Sequence, residues 1–212
     1  MRNTVTVMTA PTATKMTTLS RVKAELNITD SANDILLNAK IDEASSDAEA
    51  SLGFTVPRAT VSETFWHSET MEWPEYLVLN RTPVVSIDSV VLDGDTVDAS
   101  LYRYDVETGQ VYALTSTGYP WRWLFYKSII VNYTGGYLLP GEANRNLPVG
   151  IEGAVVDMVQ SFWLAKGRDP LLKRVDIPGL VSREWWVGSV GEAGELPPGI
   201  VTKLAPFRRA LA

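Results

Sequence analysis

Apolar residues recur along this chain in two rhythms. Leu19, Val22 and Leu26 fall at helical spacing behind Thr18, whose hydroxyl suits an N-cap, so a short helix is expected from Thr18 to near Asn27. Ser31 with Asp34 three residues on has the form of an acidic capping box. Leu37, Ile41, Ala44, Ala48 and Leu52 then share one face as far as Gly53, a C-cap residue, while Asn38, Asp42, Ser46 and Glu49 share the other. That is the pattern of a half-buried helix. From Thr60 to Tyr133 the period shortens to two, and aromatic and β-branched residues alternate between turn signals. Strands are expected at 75–79, 84–92, 101–106, 110–114 and 124–133, with hairpin-type turns at Asp93-Gly94 and Thr108-Gly109 and a break at Gly118-Tyr119-Pro120. Short spacings with no intervening helix imply an antiparallel sheet or small barrel.

Helical spacing returns after Leu147-Pro148, where Ile151, Val155, Met158, Phe162 and Trp163 continue to Gly167. A last short helix begins at Pro197-Pro198 and carries Ile200, Leu204 and Phe207, with Pro206 bending or ending it. The expected class is α+β, a small bundle of about four helices interrupted by an antiparallel β-sheet insertion. Residues 1–17 show no period and read as a flexible or partner-ordered arm. Residues 18–212 read as a single domain: helices at 18–53, a β insertion at 60–134, helices at 148–167 and 197–211, and an irregular excursion at 168–196 that contains Trp185-Trp186.

Composition narrows the chemistry. The 212 residues include no cysteine and one histidine, which excludes disulfides, thiolate catalysis, Cys-based zinc sites and every two-histidine metal motif. The formal net charge of −6 and the absence of a basic stripe argue against a dedicated nucleic-acid binder. No apolar run approaches the ~20 residues of a membrane span, and the first residues lack a signal-peptide core, so a cytosolic origin is expected.

Each candidate for catalysis has a simpler reading. His67, in Phe65-Trp66-His67-Ser68, would need a nucleophile that no Gly-x-Ser-x-Gly elbow supplies. Asp93-Gly94-Asp95 with Asp98 has the composition of a calcium loop, but its glycine and closing glutamate are misplaced, and a hairpin tip explains it. Glu63, Glu69, Glu72 and Glu75 near Trp66 and Trp73 allow a glycosidase pair on paper, yet polar positions on a solvated strand give the same pattern. Gly135-Gly136 lacks the lysine of a phosphate loop. No catalytic, cofactor or metal residue is assigned. Trp185-Trp186 stands out as a contact surface, because indoles anchor interfaces and this segment has little apolar content in which to bury them.

Several of these pieces, in this order, resemble the head–tail connector (adaptor, or head-completion) proteins of tailed phages and related gene-transfer particles. Leu19, Lys23, Leu26, Asp34, Leu37, Ala44, Glu49 and Gly53 are similar to that family's opening helix pair. Leu77-Val78-Leu79, Pro83-Val84, Ser86-Ile87 and Val90 are similar to its first strands, and Tyr104 with Gly109 to the following hairpin. The stretch from Val131 to Tyr137, then Pro140 and Leu147-Pro148, is the most recognisable, and Leu204 to Arg209 resembles a closing motif that usually has Tyr where Phe207 stands.

The resemblance implies a structural neck protein without enzymatic activity, assembled in the bacterial cytoplasm as a ring of typically twelve copies. Its implied partners are the portal protein on one side and a stopper or tail-terminator protein on the other, with DNA passing through the lumen. The expected portal surface is Trp185, Trp186, Phe207, Arg208 and Arg209, aromatic and arginine anchors in a closing segment removable without loss of fold. The competing readings are a carbohydrate-binding or weakly glycosidic β module using Glu69 or Glu72, and a tail-completion protein.

Overall fold

The computed structural model describes residues 2–66, 74–123, 127–166, 174–177, 181–184 and 196–209. The chain forms two compact units, one of residues 1–14 and 54–146, the other of residues 15–53 and 147–212.

The first unit is built of antiparallel strands: β1 (Arg2–Thr9), β2 (Ala59–Trp66), β3 (Tyr76–Val78), β4 (Val84–Leu92), β5 (Asp95–Thr96), β6 (Tyr102–Tyr104), β7 (Gln110–Leu114), β8 (Pro120–Trp121) and β9 (Ser128–Gly135). One sheet has the order β1-β2-β9-β4-β5; in the other, β7 lies between β6 on one edge and β3 with β8 on the opposite edge. Burial alternates residue by residue along β2 and β9, the period-two signature of sheets with one face in a core. That core gathers Val61 and Phe65 of β2, Leu77 of β3, Val90 of β4, Val111 of β7 and Ile129, Val131 and Tyr133 of β9. Trp123 completes it, its indole N–H donating to the Val111 carbonyl at 3.0 Å.

One polar group sits among them. Glu63 on β2 is fully buried, and its carboxylate accepts from the Tyr133 hydroxyl at 2.9 Å, from the Asn80 amide at 2.8 Å and from the Asn3 side chain on β1. The Tyr133 oxygen in turn accepts the Arg81 amide at 3.0 Å, and the Arg81 guanidinium donates to the Pro57 carbonyl. Burial, and then the Glu63 charge, push the Tyr133 phenol far above its usual range, which favours the protonated form that donates to Glu63.

The second unit is helical: α1 (Leu19–Glu25), α2 (Asp34–Leu52), α3 (Val149–Ala165) and α4 (Pro198–Leu204), together with a hairpin of β10 (Arg174–Ile177) and β11 (Val181–Glu184). The α2 face of Leu37, Ile41, Ala44, Ala48 and Leu52 is buried as its spacing implies, and α2 packs on α3, where Ile151, Val155 and Met158 are buried too. Thr18 caps α1 by accepting the Arg21 amide, and Gly53 ends α2 in the left-handed region at φ 77°. The class is therefore α+β with antiparallel sheets, and four α-helices lie among the described residues.

Three expectations need correction. The arm at 1–17 is ordered: β1 pairs with β2 from Arg2 to Thr9, and Met16 and Thr17 are buried in the helical unit. Its Thr-Val alternation is strand-forming, and Asn3 is drawn to the Glu63 carboxylate. The excursion at 168–196 contains the β10–β11 hairpin. Helix α2 opens at Asp34 rather than Ser31, because the Asp34 carboxylate pairs with Lys23 of α1 at 2.8 Å instead of closing a capping box. The structure also bounds β2 and turns Glu63 to its buried face, where a solvated strand face was expected, and adds β8, where Pro120 sits in a short edge strand instead of breaking the sheet.

Two outcomes follow from this geometry. Tyr133→Phe removes one of the donors to the Glu63 carboxylate and the oxygen that accepts the Arg81 amide, so chemical denaturation should show a loss of about 1–3 kcal/mol with an unchanged m-value. Asp93, just after β4, accepts the amides of Lys127 and Ser128, and these bonds hold its carboxyl below the ordinary 3.8. A lowered carboxylate pKa means the anion stabilises the fold; this contribution is full above 3.8 and fades as pH falls through the native value. Asp93→Asn keeps the turn but removes the charge, so its thermal midpoint should lie below wild type at neutral pH and converge on it in acid.

Candidate partner interface

The residues singled out as anchors begin where α4 ends. Pro206 cannot continue a helix hydrogen-bond ladder, so the chain tightens into a 3-10 turn at Ala205–Phe207 and leaves extended at Arg208. The Phe207 ring lies over Gly150 in the first turn of α3, where an added Cβ would stand 2.7 Å from its Cε2. Glycine there is what lets the Cε2–Cζ edge of the ring come this close to the helix. The Arg208 guanidinium donates to Ser51 Oγ at 2.8 Å, and the Arg209 amide donates to the Leu52 carbonyl at 3.1 Å. Both contacts fall at the C-terminal end of α2, where carbonyls lack helical partners and a cation meets the negative end of the helix dipole.

This closing segment borders a cleft of about 600 Å³ lined by Asp47, Ser51, Leu196, Pro198, Val201 and Arg208 among others. Burial first, then the neighbouring Glu43, raise the Asp47 carboxyl above its ordinary value, with Lys40 opposing them in part. The cleft offers a guanidinium, a carboxylate and a proline-aliphatic floor. Such a surface can take an extended segment from a partner, and it contains no nucleophile–base pair among the described residues.

Phe207, Arg208 and Arg209 are thus brought together, half-buried or exposed, on the helical unit. Trp185 and Trp186 lie outside the described residues, as do His67, Glu69, Glu72 and Trp73. Of the remaining acidic candidates, Glu63 is the buried hub described above, and Glu75 is exposed and pairs with Arg122 at 3.0 Å. Asp98 caps a 3-10 turn through Ser100, and no group of three or more His, Cys, Asp or Glu among the described residues could hold a metal ion. Gly135-Gly136 serves close approach: a Cβ at Gly136, at φ 99°, would stand 2.7 Å from the carbonyls of Val56 and Pro57. Sequence reasoning missed Asp47 and Ser51. They are one turn apart on the solvent side of α2, and only the arrival of Arg208 marks them out.

Residues 16–78 match the family model described as "Phage gp6-like head-tail connector protein". The chain resembles the head–tail connectors of phages. Solved structures agree on the fold over almost the whole length. A chain of the "Neck of empty GTA particle computed with C6 symmetry" superposes with a TM-score of 0.61 at 14% identity, covering 99% of this chain and 97% of that one. A chain of the "Virion of native gene transfer agent (GTA) particle" gives 0.59 at 14% identity, with 98% and 96% covered. A chain of the "Neck of native GTA particle computed with C12 symmetry" gives 0.56 at 15% identity, with 99% and 97% covered. No curated protein matches the sequence.

The geometry changes what removal of the closing segment should do. Because Phe207, Arg208 and Arg209 all contact the ends of α2 and α3, deletion of residues 207–212 should lower the thermal midpoint rather than leave it unchanged. Phe207→Ala alone should cost about 2 kcal/mol, roughly half the value for a fully buried ring, read by denaturant titration.

Proposed function

We propose that this chain is a structural neck protein that assembles as a ring, of twelve copies, between the portal and the downstream stopper or tail-terminator protein, with no catalytic role. The observation that carries the reading is the near-complete two-way coverage of the fold likeness to neck chains, joined to the family match at 16–78. The match to a neck solved with C12 symmetry supports the twelvefold count. On this reading the portal contact is the surface of Phe207, Arg208, Arg209 and the adjoining cleft, with Trp185 and Trp186 included on sequence grounds. The net charge of −6 suits a conduit, since a wall rich in lysine and arginine would retain the DNA phosphates that must slide past it.

Particles produced without this chain should accumulate as DNA-filled heads lacking tails, and adding the purified protein to such heads should restore tail joining. Electron cryomicroscopy of the restored necks should show a ring of its density against the portal. Tailed particles forming normally in its absence would overturn the reading.

A further inference from the structure

The apolar stripe of α3 runs on past the packed core. Near its C-terminal end, Phe162 and Trp163 stay half-buried beside Leu36 of α2, and the neighbouring Leu164 and Ile35 are 72% and 91% exposed. Between the two helices lies a groove of about 230 Å³, floored by Leu36, Val159, Phe162 and Trp163 and rimmed by Lys40 and Lys166. Each lysine ammonium lies 4.8 Å from an aromatic centroid, Lys40 over Phe162 and Lys166 over Trp163. Their apolar stems extend the groove; Lys40 pairs with Glu43 on its own helix, so the uncompensated positive charge at the rim is that of Lys166. Lys166 bonds the neutral Asn33 side chain, so its positive charge is not cancelled by that contact.

The matching shape lies on the β unit of the same sequence. In the turn between β6 and β7, Val106 is 47% exposed and stands between two exposed carboxylates, Asp105 and Glu107. Its backbone is held: the Val84 amide donates to the Val106 carbonyl at 2.8 Å, and the Leu79 amide to the Gly109 carbonyl at 2.9 Å. Asp105 closes the turn by accepting from the amide and hydroxyl of Thr108, which keeps it ionised below the usual carboxylate range. An apolar side chain that projects from a fixed backbone loses little entropy on docking. Other exposed apolar residues lack this flanking: Tyr119 lies between Gly118 and Pro120, and Met8 lies in the uncharged run from Asn3 to Thr14.

We propose that the groove of Leu36, Phe162 and Trp163 receives the Asp105-Val106-Glu107 turn of a second copy of this chain, with Lys166 facing its carboxylates. Knob and groove are different patches, so the contact is head-to-tail and propagates until it closes, as a ring requires. This rests on the ring reading above and names the surfaces that make it.

The absence of cysteine allows a direct test. A chain carrying both Leu36→Cys and Val106→Cys, assembled into necks and treated with a short bis-maleimide, should give a ladder of dimers, trimers and higher species, while either substitution alone gives monomer. Assembled necks without the ladder, or an intramolecular link running as monomer, would overturn the proposal. Lys166→Glu should weaken assembly by about tenfold or more, and Glu107→Lys in the same chain should restore it. Loss without rescue would count against the pairing. Glutaraldehyde separates the two levels: multimers with glutaraldehyde but not with bis-maleimide leave the ring standing and sink this interface, whereas multimers with neither reagent sink the ring itself.

Discussion

A carboxylate removed from water is tolerable when hydrogen bonds replace its hydration, and the β unit is organised around meeting that demand for Glu63. The donors come from distant parts of the chain: Asn3 from β1, Asn80 from the loop after β3, and Tyr133 from β9. Arg81, next to Asn80, then links the Tyr133 oxygen to the Pro57 carbonyl. A strand at the N-terminus, the central strand pair and the loop leading into β4 are thereby fixed by one charge. Without it, the slip of β1 along β2 would cost little, because its Thr-Val alternation with half-exposed valines gives weak register information.

The same demand explains what could be read from the sequence. Helices α2 and α3 were legible because their buried positions, Ser45 and Glu152 apart, are apolar at helical spacing, and strands β4 and β7 because β-branched and aromatic residues fill them between turn signals, although two bulges break the period of β4. Strand β2 was legible only as a solvated strand without bounds, since its central inward residue is an acid that ordinary patterning assigns to the surface. Strand β1 was illegible for a related reason: an edge strand whose own apolar residues stay partly exposed owes its order to pairing and to Asn3, and neither leaves a mark in local composition. Cap chemistry was legible at Thr18 and Gly53, where the partner is the helix itself, and failed at Ser31, where Asp34 found Lys23 on another helix.

The residues that carry the family resemblance have scaffold tasks here. Tyr133 bonds the buried carboxylate, Gly136 permits the approach of residues 56 and 57, Gly53 ends α2, and Leu37 and Ala44 fill the helical core. All of these positions but the exposed Gly53 are buried, too far from solvent to recognise a partner. That is why the resemblance reports a fold readily and an interface poorly, and why Arg208 and Arg209 became interpretable only when they were seen against the end of α2.

The closing segment shows how one stretch can serve both purposes. The Arg209 amide and the Phe207 ring bind it to α2 and α3, while the exposed Arg208 guanidinium turns into a cleft beside Asp47. A partner that displaced the Arg208–Ser51 contact would exchange one solvent-accessible hydrogen bond for another at little cost, whereas lifting Phe207 off Gly150 would expose an aromatic face. The anchoring contacts therefore hold the surface in place, and the weakly held arginine is the group free to change partners. A docking surface organised in this way is preordered without being fully satisfied, the condition under which binding loses least to conformational entropy.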